Sequence, residues 1–179
     1  MIRNKKGLST VVTTLIILVV SVLLATVVTY YAINVTSTRV EEESLYITKV
    51  HLWYDVSSGT SKAAFLIINT GGRDVVIDKI TVRGQECTWS SVYYNITTGS
   101  ISEDLSWISG TPSSVTLDST TYTLTAATSD LTLASGYTMI VYIVNPDSIS
   151  VNDVGITVGI TIFTSQAQYY KECNVESTS

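Results

Sequence analysis

From Leu8 to Thr38 the chain carries no charged residue. Arg3, Lys5 and Lys6 stand before this run, with Gly7 at the junction, and Arg39 and then Glu41, Glu42 and Glu43 follow it. As a helix rising ~1.5 Å per residue, the run spans roughly 46 Å, more than the ~30 Å hydrocarbon core of a bilayer. It therefore reads as a membrane-inserted helix with extra length on its far side. Basic residues before it and acidic ones after it place Met1 in the cytoplasm and everything beyond about Tyr31 outside. Tyr30 and Tyr31 suit the outer interface, where a ring is apolar on its face and wet at its tip.

The 179 residues leave one domain of about 130 residues beyond the helix. The formal charge of −5 argues against a nucleic-acid partner, which needs a basic surface. Only 14% of residues are charged and two are proline, so the exterior part is folded and hydroxyl-rich rather than a disordered acidic tail. Cys87 and Cys173 are too far apart in sequence for a metal-ligand or redox pair of usual spacing. Outside the cell a disulfide between them is expected, tying a mid-domain strand to the C-terminal tail. It would be worth roughly 4.5 kcal/mol in the chain-entropy model. Two unpaired thiols are the alternative.

A secretory signal peptide has a shorter apolar region and a small-residue cleavage site after it, which this run lacks. A plain signal anchor remains open. The order Lys5-Lys6-Gly7-Leu8-Ser9-Thr10, a basic pair and glycine at the head of a long uncharged helix, resembles the class III signal of archaeal type IV prepilins and archaellins. The resemblance implies that a prepilin peptidase cuts between Gly7 and Leu8. Residues 1–7 are then a leader, residues 8–44 the hydrophobic helix, and residues 45–179 an extracellular domain. Bacterial type IV pilins carry glutamate five residues into the mature helix; here that position is Val12, so the resemblance is to the archaeal branch. Without that glutamate, subunit register must come from apolar shape.

At 100° per residue, Thr10, Thr14, Ser21, Ala25 and Ala32 share an arc of about 60°. Small residues let helix backbones approach closely, so this stripe is a candidate helix–helix contact. Val28 on the stripe and Ile17 beside it interrupt its purity. The alternative is that serine and threonine are simply common in membrane helices.

Beyond the helix the chain reads as β structure. Leu45–Tyr54 is aromatic and β-branched with partial alternation, Ala63–Asn69 is a second run, and Thr70–Asp74 is a turn. Val75–Arg83 and Met139–Asn145 follow. Val154–Phe163 has the cleanest period of two, with glycine and threonine on one face that would let another surface lie close. Ser114–Leu117 and Thr121–Leu124 are short strands in a Ser/Thr-rich stretch. The expected fold is α+β: the N-terminal helix, then an all-β antiparallel sandwich of Ig-like type. The stretch Phe65–Asp74 is also similar to strand–turn–strand segments of archaeal pilin β-domains.

No residue set reads as catalytic. His51 is the single histidine, so no two-histidine metal site exists, and a nucleophile needs an oriented base. Glu103 and Asp104 are adjacent and point apart in an extended chain. Glu41–Glu43 is most simply a solvated neck. With no phosphate-cradling glycine motif and no Cys-x-x-Cys, no cofactor or metal is expected. Two glycosylation sequons occur, at Asn95 in a loop-like stretch and at Asn34 within the helix.

The leading expectation is structural: a major pilin of an archaeal type IV pilus-like filament, made as a precursor in the cytoplasmic membrane. Its partners are then copies of itself in a helical homopolymer, the prepilin peptidase and the assembly machinery, with the membrane before assembly. Adhesion is the role the resemblance implies. An archaellin of a swimming filament is the runner-up. A monomeric membrane-anchored binding module is the third reading, with Trp53, Trp89 and Trp107 as a sugar-stacking face or, alternatively, as core residues.

Overall fold

The computed structural model describes residues 5–40, 42–146 and 149–178; Arg3 and Glu41 lie outside the described residues. The chain divides into two compact units, Met1–Glu41 and Glu42–Ser179.

The first unit is helix α1, Lys5–Val40. It begins ahead of the Gly7–Leu8 junction, so Lys5, Lys6 and Gly7 are already helical. It also stops short of the expected end at Ser44. Residues 42–44 are extended because the β-domain takes up their carbonyls. Ser44 O accepts from the N–H groups of Thr70 and Gly71 at 2.9 and 3.0 Å, and Glu42 O accepts from Gly72 N–H at 3.2 Å. The neck is only partly solvated: Glu42 is exposed, whereas Glu43 is half-buried and accepts from Thr164 Oγ1 at 2.5 Å.

The second unit is sheet-rich. Its strands are β1 Leu45–Asp55, β2 Thr60–Asn69, β3 Val75–Val82, β4 Gln85–Glu86, β5 Val92–Thr97, β6 Ser114–Leu117, β7 Thr120–Thr123, β8 Thr125–Ala126, β9 Leu131–Leu133, β10 Thr138–Val144, β11 Thr157–Thr164 and β12 Gln168–Thr178. The main sheet runs β4-β3-β11-β12-β1-β2-β10-β5-β8, with β9 also on β3, and β6–β7 is a separate hairpin. The sheet curls into a sandwich-like shape around β12. That strand pairs with β11 through Asn174 and then with β1 from Val175 onward. Phe65, Ile67, Val141 and Ile143 from one half meet Ile77, Ile80, Ile160 and Ile162 from the other in the main core. The β1–β12 pair is parallel, which corrects the expectation of a purely antiparallel sandwich. Both strands run away from the end where the chain enters the domain, so no hairpin can join them.

The partial alternation of β1 has a physical cause. Thr48 pairs with Leu66 and His51 with Ala64, so Lys49 and Val50 oppose the single residue Phe65. This is a β-bulge, with Lys49 at φ 51°. It inverts the parity of the strand: Leu45 and Ile47 face the main core before it, and Leu52 after it. His51 and Trp53 are thereby moved to the outer face.

Two strand limits differ from the sequence reading. Arg83 is not in β3 but in the following turn, at φ 52°. Val154 and Ile156 alternate correctly yet are exposed, because the chain turns at Gly155 (φ 84°) before β11 begins. The glycine face of β11 is closely covered, by a residue of the chain itself. A Cβ on Gly159 would lie 2.3 Å from Cε2 of the Tyr170 ring on β12.

The outer face of β2 and β10 is also buried. Ala64, Leu66, Ile140 and Tyr142 pack under Leu105, Val115, Leu117 and Leu124 from the Ser/Thr-rich segment. Tyr142 donates to Ser106 O at 3.0 Å, and burial pushes its hydroxyl up to about 12. From pH 10 to about 12 the unfolded chain loses this proton and the folded chain keeps it, so stability falls as pH rises through that window. Tyr142→Phe should cost about 1 kcal/mol at pH 7. The gap from the parent should close in urea titrations at alkaline pH.

The expected Cys87–Cys173 disulfide is not formed. Cys87 N–H bonds to Ile80 O on the far side of β3, and Cys173 lies on β12 opposite Val158. Three inter-strand steps separate them, roughly 14 Å of sheet, against a Cα–Cα limit of about 7 Å for a bridge. Burial, with the charge of Glu176, pushes the Cys173 thiol up to about 11, so it stays protonated.

Candidate functional site

Every described side chain of α1 from Ser9 to Ser37 is exposed. The same stretch is long and apolar enough to cross a membrane. Leu15, Leu18, Leu24, Val27 and Val28 are each more than 60% exposed, an extent of bare apolar surface that water does not tolerate on a finished protein. Five hydroxyls on this surface are satisfied within the helix. Thr13 donates to Ser9 O at 2.8 Å, Thr14 to Val11 O at 2.9 Å and Ser21 to Ile17 O at 2.7 Å. Thr26 donates to Val22 O and Thr29 to Ala25 O, both at 2.8 Å. Back-bonding of this kind lets a hydroxyl sit in an apolar medium without a free donor.

It also refines the small-residue stripe. Thr14 and Ser21 already donate to their own helix, so what they offer a neighbour is small size rather than a hydrogen bond. Ala25 and Ala32 offer the same, and Thr10 shares the arc. Gly7 lies in the helical backbone, one residue before Leu8.

The second candidate is the outer face of β1, and here the structure brings together residues the sequence left apart. The His51 ring stacks on Trp53 at 5.1 Å with planes 2° apart, and Trp107 meets Trp53 edge-on at 6.3 Å. His51 Nε2 is 3.0 Å from Asp104 Oδ1, and its Nδ1 is 3.6 Å from Glu176 Oε1. Trp53 Nε1 donates to Glu176 Oε2 at 3.0 Å. Partial burial pushes the Asp104 carboxyl up, but hydrogen bonds from His51 and Leu105 N–H and the charges of His51 and Lys49 outweigh it and hold it low. Glu103 turns elsewhere, accepting from Asp118 N–H at 2.7 Å. As expected, the adjacent carboxylates serve separate partners.

Lys62 was not legible as a buried residue, since a lysine in a strand normally marks the wet face. Its Nζ lies 4.2 Å over the Trp107 ring and bonds to Ile108 O. Desolvation lowers its pKa, partly opposed by the charge of Asp55. Lys49 similarly bonds to Ser102 O and Glu103 O. The two lysines and the tryptophans thus pin the segment around 102–108 onto the sheet. Trp53 is 5% exposed and one face is covered by His51, so it offers no platform to a sugar. Trp89 packs against the main core.

Asn95 lies in β5 rather than in a loop, and its Nδ2, the atom a glycan would take, donates to Thr123 O at 2.8 Å. Asn34 is exposed on α1. Among the described residues, no group of three or more His, Cys, Asp or Glu converges as a metal site.

No family model and no curated protein matches the sequence. Solved structures similar to the chain include the apo PmoF2 PCuAC domain, 15% identical with a TM-score of 0.44, covering 76% of this chain and 95% of that one. The copper-bound PCuAC domain from PmoF2 is 16% identical with a TM-score of 0.36, covering 76% and 99%. The ligand-binding region of serine-glutamate repeat protein A of Enterococcus faecium is 12% identical with a TM-score of 0.31, covering 78% and 99%. Scores of this size carry no inference about what this chain binds.

Proposed function

We propose that the chain is the structural subunit, a major pilin, of an archaeal type IV pilus-like surface filament. The observation that carries this reading is α1: a charge-free run from Leu8 to Thr38 with back-bonded hydroxyls and a bare apolar surface, headed by Lys5-Lys6-Gly7. In the precursor the bilayer covers that surface. In the filament the helices of neighbouring copies cover it, with the β-domains, sandwiches of Ig-like class, forming the outer sheath at the cell surface. At ~25 cal/mol per Å2, exchanging water for such cover is worth tens of kcal/mol gross per subunit, before ordering costs. Adhesion is the role such a sheath would serve, and no enzymatic step belongs to the reading.

Maturation supplies the first test. Mass spectrometry of surface filaments should show a subunit beginning at Leu8. Gly7→Trp should leave full-length precursor in the membrane and no filaments. A native protein that keeps residues 1–7 and stays in the membrane would make the helix a plain anchor.

A further inference from the structure

We propose that the β-domain carries a binding site for a neutral sugar in the cleft between the β10 terminus and the turn that precedes β5. The cleft has a volume of about 330 Å3, at the lower end of the ~300–1,000 Å3 usual for ligand sites. It lies at the end of the domain remote from Glu42. β10 pairs antiparallel with β2 from Thr138–Ile68 to Val144–Lys62, and the cleft is at the Val144 end.

Its walls are built before any ligand arrives. Asn145 takes φ 46°, a left-handed conformation that asparagine tolerates, and ends β10 ahead of the buried Pro146. Two hydrogen bonds to Ser61 hold it: Asn145 N–H to Ser61 O at 2.8 Å, and Ser61 N–H to Asn145 Oδ1 at 3.1 Å. With Oδ1 so engaged, Nδ2 is the group the side chain offers a ligand. The opposite wall is a turn closed by Ser91 N–H to Thr88 O at 2.9 Å and by Ser91 Oγ to the same carbonyl at 2.8 Å. Trp89 anchors that turn in the main core. A preformed wall loses little entropy on binding.

The lining chemistry selects the ligand class. Glu86, Thr88, Ser91 and Asn145 present carboxylate, hydroxyl and amide, and Tyr93 adds an aromatic ring. Among the described residues no lysine, arginine or histidine lines the cleft, so an anionic sugar or a phosphate meets no counter-charge from them and faces Glu86. A carboxylate and an amide pair naturally with the vicinal hydroxyls of an uncharged sugar, and an aromatic ring with its C–H face. The Trp53–Trp107 cluster is closed, whereas this cleft is an open polar–aromatic concavity.

The test uses the full chain in detergent micelles, so it does not depend on filament formation. Glucose, galactose, mannose and N-acetylglucosamine are titrated and followed by ligand-observed NMR, with N-acetylneuraminic acid as the anionic probe. At least one neutral sugar should bind. Asn145→Gly keeps the left-handed backbone while removing the amide, and Glu86→Gln removes the charge; each should weaken binding about tenfold, the worth of one to two hydrogen bonds. Circular dichroism of both variants should match the parent; the thermal midpoint should be unchanged for Glu86→Gln, since Glu86 is exposed, and lower for Asn145→Gly, which loses the acceptor of Ser61 N–H. Three results overturn the site: no neutral sugar binds, the double variant binds as well as the parent, or N-acetylneuraminic acid binds equally well. Filament assembly unchanged in the same variants would show that the sugar site and the polymer are separate properties.

Discussion

Ala25→Lys should abolish filaments while leaving precursor in the membrane. Ala25 sits in a shallow groove of α1 with Val22, Thr26, Thr29 and Ile33, and its carbonyl already accepts the Thr29 hydroxyl. A lysine there finds no acceptor left over and no acidic partner within the charge-free run. Inserting it into a bilayer costs about 3 kcal/mol, which the remaining leucine, isoleucine and valine residues outweigh. Burying it among packed helices costs several kcal/mol at every subunit, because an uncompensated charge in a dry contact is not relieved by snorkelling to water. Ala25→Val, which keeps the surface apolar, should still assemble. Electron microscopy of sheared cell surfaces and immunoblots of membranes read the two outcomes separately. Normal filaments from Ala25→Lys subunits would refute helix packing through this groove, and parent protein found only as a membrane monomer would refute the polymer reading and favour the anchored binding module.

Gly71→Ala should be the most damaging conservative change in the β-domain. A Cβ at this position would lie 2.5 Å from Glu42 O and 2.7 Å from Ser44 N, both backbone atoms rather than the end of a flexible side chain. The methyl therefore forces residues 42–44 off the turn. The three hydrogen bonds from Thr70, Gly71 and Gly72 N–H go with them, and so does the Glu43–Thr164 contact. The expected loss is about 2–4 kcal/mol in chemical denaturation of the full chain in detergent. Gly99→Ala is the control: its Cβ would meet only Thr97 Oγ1 at an ordinary 3.6 Å and should cost under about 1 kcal/mol. Equal stability of the two variants would mean that the entry segment is not held by this turn.

The parts legible in the sequence are those where one local property decides the structure. The absence of charge from Leu8 to Thr38 forces a helix in an apolar medium, and β-branched runs bounded by turn residues located β1, β2, β3, β10 and β11. What escaped depends on partners distant along the chain. The residues of β1 do not encode that β12 will lie beside it in parallel. Lys62 reads as a wet-face residue until Trp107, from a segment with no periodicity of its own, closes over it. Glu42 to Ser44 continue the helix by composition, yet a turn near Gly71 claims their carbonyls. The disulfide expectation failed for the same reason: two cysteines expected in one oxidising compartment are not thereby neighbours, and here two strands stand between them. Of the candidate site, the helix was legible. The cleft was not, because its walls, at Thr88–Ser91 and Asn145, come together only through the β5–β10 pairing.

The parallel pairing of β1 with β12 sets a timetable. β12 pairs with both β11 and β1, so the curled sheet cannot shut until Gln168–Thr178 has been synthesised. The loop it closes reaches back to Leu45, across nearly the whole domain. Contacts of such high sequence separation form late and slowly, because loop entropy must be lost before any of them is gained. A domain built this way stays open for as long as its last strand is missing. On the proposed reading, in which the first helix inserts into a membrane, that delay would keep the following segment threadable through a translocation channel. The strand that completes the fold thus also times it.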